Sequence, residues 1–270
     1  MIGQQKLLNT IDTIGNNFPK FSLIVGPQGS GKKLIARYIC DKLKLQMVPF
    51  GCGIEEVRNI IDLCYEQREP ICYICYDADK MSVGAKNCLL KITEEPPNNS
   101  YFILTLQSLS NMLETIQSRG TVLTLDTYSP EELLQYRLWR SYNSNFDNIV
   151  KAVCTTTGEV DELFKYDVKA FYNFAETVAY KIHIPTTGNI FKISKAVKSK
   201  KDDEGYDATL LFKAVRDLYI QKAIETKKIQ YLYASNVTSE CLRDLALSNV
   251  SVTGTVDTWI MNVRTVLRGI

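Results

Sequence analysis

The chain has 270 residues, 45% of them hydrophobic and 23% charged, with a net charge of +2. That length supports a sizeable core and one to three domains. No apolar run reaches the ~18 residues of a membrane span, and the start, Met1-Ile2-Gly3-Gln4-Gln5-Lys6, lacks the apolar stretch of a signal peptide, so a cytoplasmic protein with no membrane partner is expected.

Up to residue 126 strand-like and helix-like segments alternate. Phe21 to Val25 is a short apolar run that ends in glycines, and Lys32 to Leu45 carries Ile35, Ile39 and Leu43 at helical spacing. Met47 to Phe50 reads as a second strand, Ile54 to Tyr65 as a second helix and Ile71 to Tyr76 as a third strand. Ser82 suits the N-cap of a helix that runs to about Thr93 and stops at Glu94-Glu95-Pro96-Pro97. Tyr101 to Leu106 and Val122 to Leu125 complete the strands. This alternation predicts an α/β domain, a parallel sheet with helices on both faces.

Beyond Asp126 the strand signals nearly vanish. Pro130 opens a helix through Trp139; Phe146 to Val153, Val160 to Ile182, Ala208 to Thr226 and Val256 to Leu267 also read as helical. His183 to Asn189 is the best linker. The predicted domains are therefore 1–126, 127–182 and 183–270. They carry formal charges of zero, about −3 over 127–180, and +5 over 181–270. Part of that last excess is Lys195, Lys198, Lys200 and Lys201, followed at once by Asp202, Asp203 and Glu204, a run that reads as a solvated loop, with a DNA contact as the lesser alternative.

The eight cysteines are scattered through mostly apolar stretches, as expected of reduced, buried thiols. Cys72 and Cys75 form a C-x-x-C inside a strand, where alternation sends the two side chains to opposite faces. With no second pair at finger spacing, no zinc is expected.

One motif carries chemistry. Gly26-Pro27-Gln28-Gly29-Ser30-Gly31-Lys32-Lys33 follows an apolar strand and opens a helix, the context that a phosphate-binding loop requires. Its glycines let backbone N–H groups converge on phosphate oxygens, the helix N-terminus adds partial positive charge, and Lys32 is placed to reach the β- and γ-phosphates. The residue after that lysine is ordinarily Ser or Thr, whose hydroxyl ligates Mg²⁺. Here it is Lys33, a cation where the metal should sit. Hydrolytic P-loop proteins also need an Asp at the end of a buried strand. In Tyr76-Asp77-Ala78-Asp79, Tyr76 occupies that position, although a slip of one residue lets Asp77 serve the metal; capping of the following turn is the plainer role for Asp77 and Asp79.

Asp77-Ala78-Asp79-Lys80-Met81, then Ala85 to Pro97 with its Leu89-Leu90-Lys91-Ile92-Thr93-Glu94-Glu95-Pro96-Pro97, resemble the clamp-loader ATPase core of bacterial DNA polymerase III. Ile2-Gly3-Gln4 resembles the N-terminal box of that family, and Thr115-Ile116-Gln117-Ser118-Arg119-Gly120 its Ser-Arg-Cys motif. The resemblance covers residues 1 to about 126 and reaches the helical remainder by pattern only. It implies an AAA+ P-loop fold with a helical lid and a C-terminal helical collar. It also implies membership of a five-subunit assembly, with gamma/tau-like ATPases and a delta-like subunit, that opens a sliding clamp and closes it on primed DNA through backbone contacts. ATP, with Mg²⁺ where bound, is the ligand that the resemblance implies. Arg119 would be the arginine finger that reaches a neighbour's ATP site.

The departures are consistent in direction. Besides Lys33 and Tyr76, the polar sensor position falls on Leu106 and the lid's sensing arginine on Asp161; Gly120 replaces the cysteine of Ser-Arg-Cys. The family's zinc module is missing, because Leu45 runs to Ile54 directly. A delta-prime type of subunit, which contributes Arg119 in trans without hydrolysing ATP itself, fits these changes. A hydrolysing clamp-loader ATPase with unusual metal ligands is the alternative, and an unrelated P-loop phosphotransferase a more distant one.

Overall fold

The computed structural model describes residues 2–97, 99–182, 193–197, 204–246 and 250–268, so the expected linker at His183 to Asn189 and most of the lysine run after Lys195 lie outside the described residues. Two compact units result, Met1–Tyr128 and Ser129–Ile270. The second holds both segments expected as lid and collar.

The first unit is a five-stranded parallel sheet: β1 (Phe21–Val25), β2 (Gln46–Phe50), β3 (Ile71–Cys75), β4 (Ser100–Leu106) and β5 (Thr121–Thr124), in the spatial order β2-β3-β4-β1-β5. Every pairing is parallel, with Leu23 opposite Leu104 on one side and Val122 on the other. Alternation along β1 divides its side chains between two cores. Phe21, Leu23 and Val25 join Val57 and Ile60 of α3 (Ile54–Glu66) and Leu89 and Ile92 of α4 (Val83–Glu94). Ile24 faces the other way, onto Leu8 and Ile11 of α1 (Gln5–Ile14) and Ile35 and Ile39 of α2 (Lys32–Leu43). Each of these aliphatic side chains contributes ~1.5–3 kcal/mol on full burial. Helix α1, which had no clear periodic signal, is tied to α2 by Asp12, whose carboxylate accepts from Tyr38 Oη at 2.6 Å and pairs with Lys42 at 2.8 Å. The four-residue α5 (Glu114–Gln117) precedes β5.

The C-x-x-C of β3 splits as alternation requires, with Cys72 in the α1/α2 core and Cys75 in the α3/α4 core. Cys75 Sγ lies 3.7 Å from Cys52 Sγ, with both thiols free.

The second unit comprises α6 (Pro130–Trp139), α7 (Asp147–Val153), α8 (Thr157–Leu163), α9 (Val168–Lys181), α10 (Ala208–Thr226), α11 (Ile229–Leu245) and α12 (Val252–Leu267). Helix α6 starts on a capping box, with Ser129 Oγ accepting from Glu132 N–H and the Glu132 carboxylate from Ser129 N–H, and Pro130 at its first turn. The single helix expected over Val160 to Ile182 is two. The chain breaks after Leu163 and restarts at Asp167, whose carboxylate caps the Ala170 N–H at 3.1 Å. The N-capping carboxylate offers the new helix's orphan donors a partner that an uninterrupted helix would not need.

Sequence periodicity missed α11 because its faces are inverted. The buried side is small or polar (Ala234, Ser235, Thr238, Cys241), whereas Ile229, Leu232 and Tyr233 are exposed. Small residues let α11 pack against its neighbours closely enough for Trp259 of α12, 1% exposed, to donate its indole N–H to Thr238 Oγ1 at 3.0 Å. Thr238→Val keeps the shape but leaves that donor unpaired. It is expected to cost ~1–3 kcal/mol in urea unfolding followed by circular dichroism; an unchanged midpoint would show that the bond contributes nothing.

Candidate functional site

The P-loop lies between the end of β1 and the start of α2, at the carboxyl edge of the sheet where open α/β folds bind ligands. Gly26 N–H donates to Leu106 O at 3.1 Å, which anchors the loop's start to β4. Gly29 and Gly31 take φ of +78° and +93°, conformations that any side chain would strain. Tyr128 Oη donates to Ser30 O at 3.0 Å and braces the turn. Pro27 and Gln28 complete the expected loop, and Ser30 is fully buried with no partner for its hydroxyl.

Lys32 is 7% exposed, and its ammonium donates to Gly26 O at 2.7 Å and Pro27 O at 2.9 Å. Burial lowers its affinity for a proton, while Asp77 and Asp79 oppose that shift. Lys33 is exposed, and its ammonium lies 4.7 Å from the centroid of the Tyr76 ring. The two positions expected from the sequence to ligate a metal, Lys33 and Tyr76, thus hold a cation and an aromatic ring in contact with each other. A Mg²⁺ ion, which demands oxygen ligands in octahedral array, does not fit these residues.

The acidic pair does other work. Asp77 has a left-handed backbone, φ +56°; its N–H donates to Thr105 Oγ1 at 3.0 Å and its carboxylate pairs with Lys80 at 3.3 Å. Asp79 accepts from the N–H groups of Gln107 at 2.8 Å and Ser108 at 3.4 Å, and so holds the end of β4. Leu106 is buried and carries no polar group toward the loop. In the second unit Asp161 accepts from Tyr136 Oη at 2.7 Å, Tyr142 Oη at 3.0 Å and Arg140 Nε at 3.1 Å, which makes it the centre of a structural cluster.

Arg119 follows α5, with its Nη1 donating to Thr115 O at 2.8 Å and Nη2 paired with Glu94 at 2.7 Å. Glu94 is the first acid of the Glu-Glu-Pro-Pro run; its position after the α4 apolar pattern gave no hint of this partner. Gly120 explains itself sterically, since a Cβ there would lie 3.0 Å from Phe21 Cδ1 and 3.1 Å from Leu23 Cγ. Phe21 fills the space that a cysteine would need. Among the described residues no group of three or more His, Cys, Asp or Glu side chains is arranged to hold a metal, and no helix is long and apolar enough to cross a membrane.

Strand order, parallel pairing and the loop between β1 and α2 define an AAA+ P-loop domain, followed by a helical region. The Thermotoga maritima RuvB Holliday junction branch migration motor has the same fold, with a TM-score of 0.52 and 16% identity over 78% of this chain and 87% of that one. Sequence relatives narrow the class. Residues 53–129 match the family described as DNA polymerase III, delta subunit. The delta-prime subunits of DNA polymerase III from Buchnera aphidicola and Haemophilus influenzae are 26% and 31% identical over 156 and 100 residues, or 55% and 36% of this chain. The tau subunit from Bacillus subtilis is 26% identical over 152 residues, 44% of this chain. The chain spans about half the length of the first of these relatives (46%) and under a third of the other two (29% and 27%). In sequence it is thus similar to both the delta-prime and the tau subunits of DNA polymerase III.

Gly120→Cys, which introduces the cysteine that the resemblance leads one to expect there, is expected to destabilise the protein by ~1–3 kcal/mol through overpacking against Phe21. Pairing it with Phe21→Leu should recover part of the loss in thermal melts. A neutral Gly120→Cys would mean that the sheet edge yields freely.

Proposed function

We propose that this chain is a delta-prime-like subunit of a DNA polymerase III clamp loader, one that does not hydrolyse ATP itself. In this reading it works in the cytoplasm and assembles with gamma/tau-like ATPase subunits and a delta-like subunit. The assembly opens a sliding clamp and loads it on primed DNA, gripping the duplex through its phosphates, so binding is sequence-independent and salt-sensitive. Residues 127–182 act as the lid, and 183–270 as the collar that joins subunits.

One contrast carries the reading. The chain's own metal-ligand positions are spent on the Lys33–Tyr76 contact, while Arg119 sits on an intact Thr-Ile-x-Ser-Arg segment at the surface, restrained by its Thr115 and Glu94 contacts. An exposed ion pair of this kind is worth ~0–1 kcal/mol, little enough to be exchanged for the phosphates of a neighbour's nucleotide. An arginine supplied in trans stabilises the charge that develops during phosphoryl transfer, and in well-studied cases raises the rate by ~10³–10⁵.

The test is Arg119→Ala in a loader reconstituted from subunits of the same source, with only the adjoining ATPase site left competent. Assembly and folding should be retained, and DNA-stimulated hydrolysis at that site should fall by about 10³-fold. Unchanged hydrolysis would remove the finger role. Turnover by the isolated chain would favour the hydrolysing alternative.

A further inference from the structure

Lys33 and Tyr76 were separate departures in the sequence; in the fold they are one contact, an ammonium 4.7 Å from the centre of an aromatic ring at the mouth of the P-loop. Their joint charge is informative. A divalent metal beside one aspartate presents a single net positive charge, and a lysine on a neutral phenol presents the same. Burial pushes the Tyr76 hydroxyl up from its ordinary value, so the ring stays neutral. An ammonium held on an aromatic face gains ~0.5–2 kcal/mol from the ring and keeps its three N–H donors for other partners.

The rest of the loop retains what an anion needs. Gly29 and Gly31 hold the backbone in the cradle conformation. Lys32 is satisfied by two carbonyl oxygens of its own loop, an arrangement that ligand oxygens can take over. The Ser30 hydroxyl is fully buried within the loop and without a partner.

Resting on the reading of this loop as an anion site, we propose that it binds a polyphosphate chain without a divalent metal, with the Lys33 ammonium seated on Tyr76 in the metal's place. The ligand is either the triphosphate of a nucleotide or an inorganic polyphosphate. In this proposal it is held and not turned over, because the Asp77 and Asp79 carboxylates are engaged by Lys80 and by the Gln107 and Ser108 N–H groups.

Calorimetric titration of the full-length chain tests this, with ATP and with inorganic tripolyphosphate, each in EDTA and in Mg²⁺. Binding is expected in EDTA, with no tightening by Mg²⁺. Binding of ATP alone would identify a nucleotide site, and equal binding of tripolyphosphate a site for the phosphate chain itself; either supports the proposal. Lys33→Thr, an exposed change in the first turn of α2, should weaken binding in EDTA about tenfold, or ~1.4 kcal/mol. Lys33→Thr with Tyr76→Asp should make binding depend on Mg²⁺. Binding that appears only with Mg²⁺, wild-type affinity in Lys33→Thr, or no binding of either ligand in EDTA would each overturn the proposal. None of these outcomes touches the role of Arg119, which is read from a neighbour's hydrolysis.

Discussion

A buried ammonium organises the first unit. Lys32 has almost no access to water, and an unpaired cation in that position would be costly. The loop answers by turning the carbonyls of Gly26 and Pro27 onto it. That turn is possible only because Gly29 and Gly31 accept positive φ, and it stays in place because Gly26 is bonded to β4 and Ser30 to Tyr128. β1 must be flanked on both sides for its carboxyl end to present the loop rigidly, and β4 and β5 provide that flank.

Within each unit, positions that the resemblance marks as ATPase parts have structural contacts instead. Asp79 ties down the end of β4, Asp161 gathers two tyrosines and an arginine, and Leu106 is packed into the core. Arg119 differs, because its contacts, one to the Thr115 carbonyl and one to the Glu94 carboxylate, lie at the exposed surface.

How much of this was legible in the sequence depended on the range of the interactions involved. The P-loop could be read because glycine spacing, strand and helix fall within a dozen residues. The three inner strands, β1, β3 and β4, could be read because both of their faces are buried and their apolar runs are nearly continuous, whereas β2 and β5 at the sheet edges are more exposed and were marked only by short apolar stretches. The Lys33–Tyr76 contact could not, since it joins α2 to the end of β3 and no local pattern encodes it. Nor could the pairing of Glu94 with Arg119, or the filling of the Gly120 site by Phe21. Helix α11 escaped for a different reason: its small, polar face is the buried one, so the apolar period pointed away from the core. The break between α8 and α9 was hidden because Val160, Leu163, Val168 and Phe171 keep a helical rhythm across it; only the capping preference of Asp167 marked the interruption.

The placement of the two tryptophans has a practical consequence. Trp139, 70% exposed, and Trp259, 1% exposed, both belong to the second unit, and the P-loop unit contains none. Indole emission is therefore a private signal of the helical region, with one solvent-relaxed and one shielded emitter. Far-ultraviolet ellipticity, by contrast, draws on both units. Comparing the two signals through one denaturation separates the melting of the helical region from that of the sheet, with no label added and no residue changed.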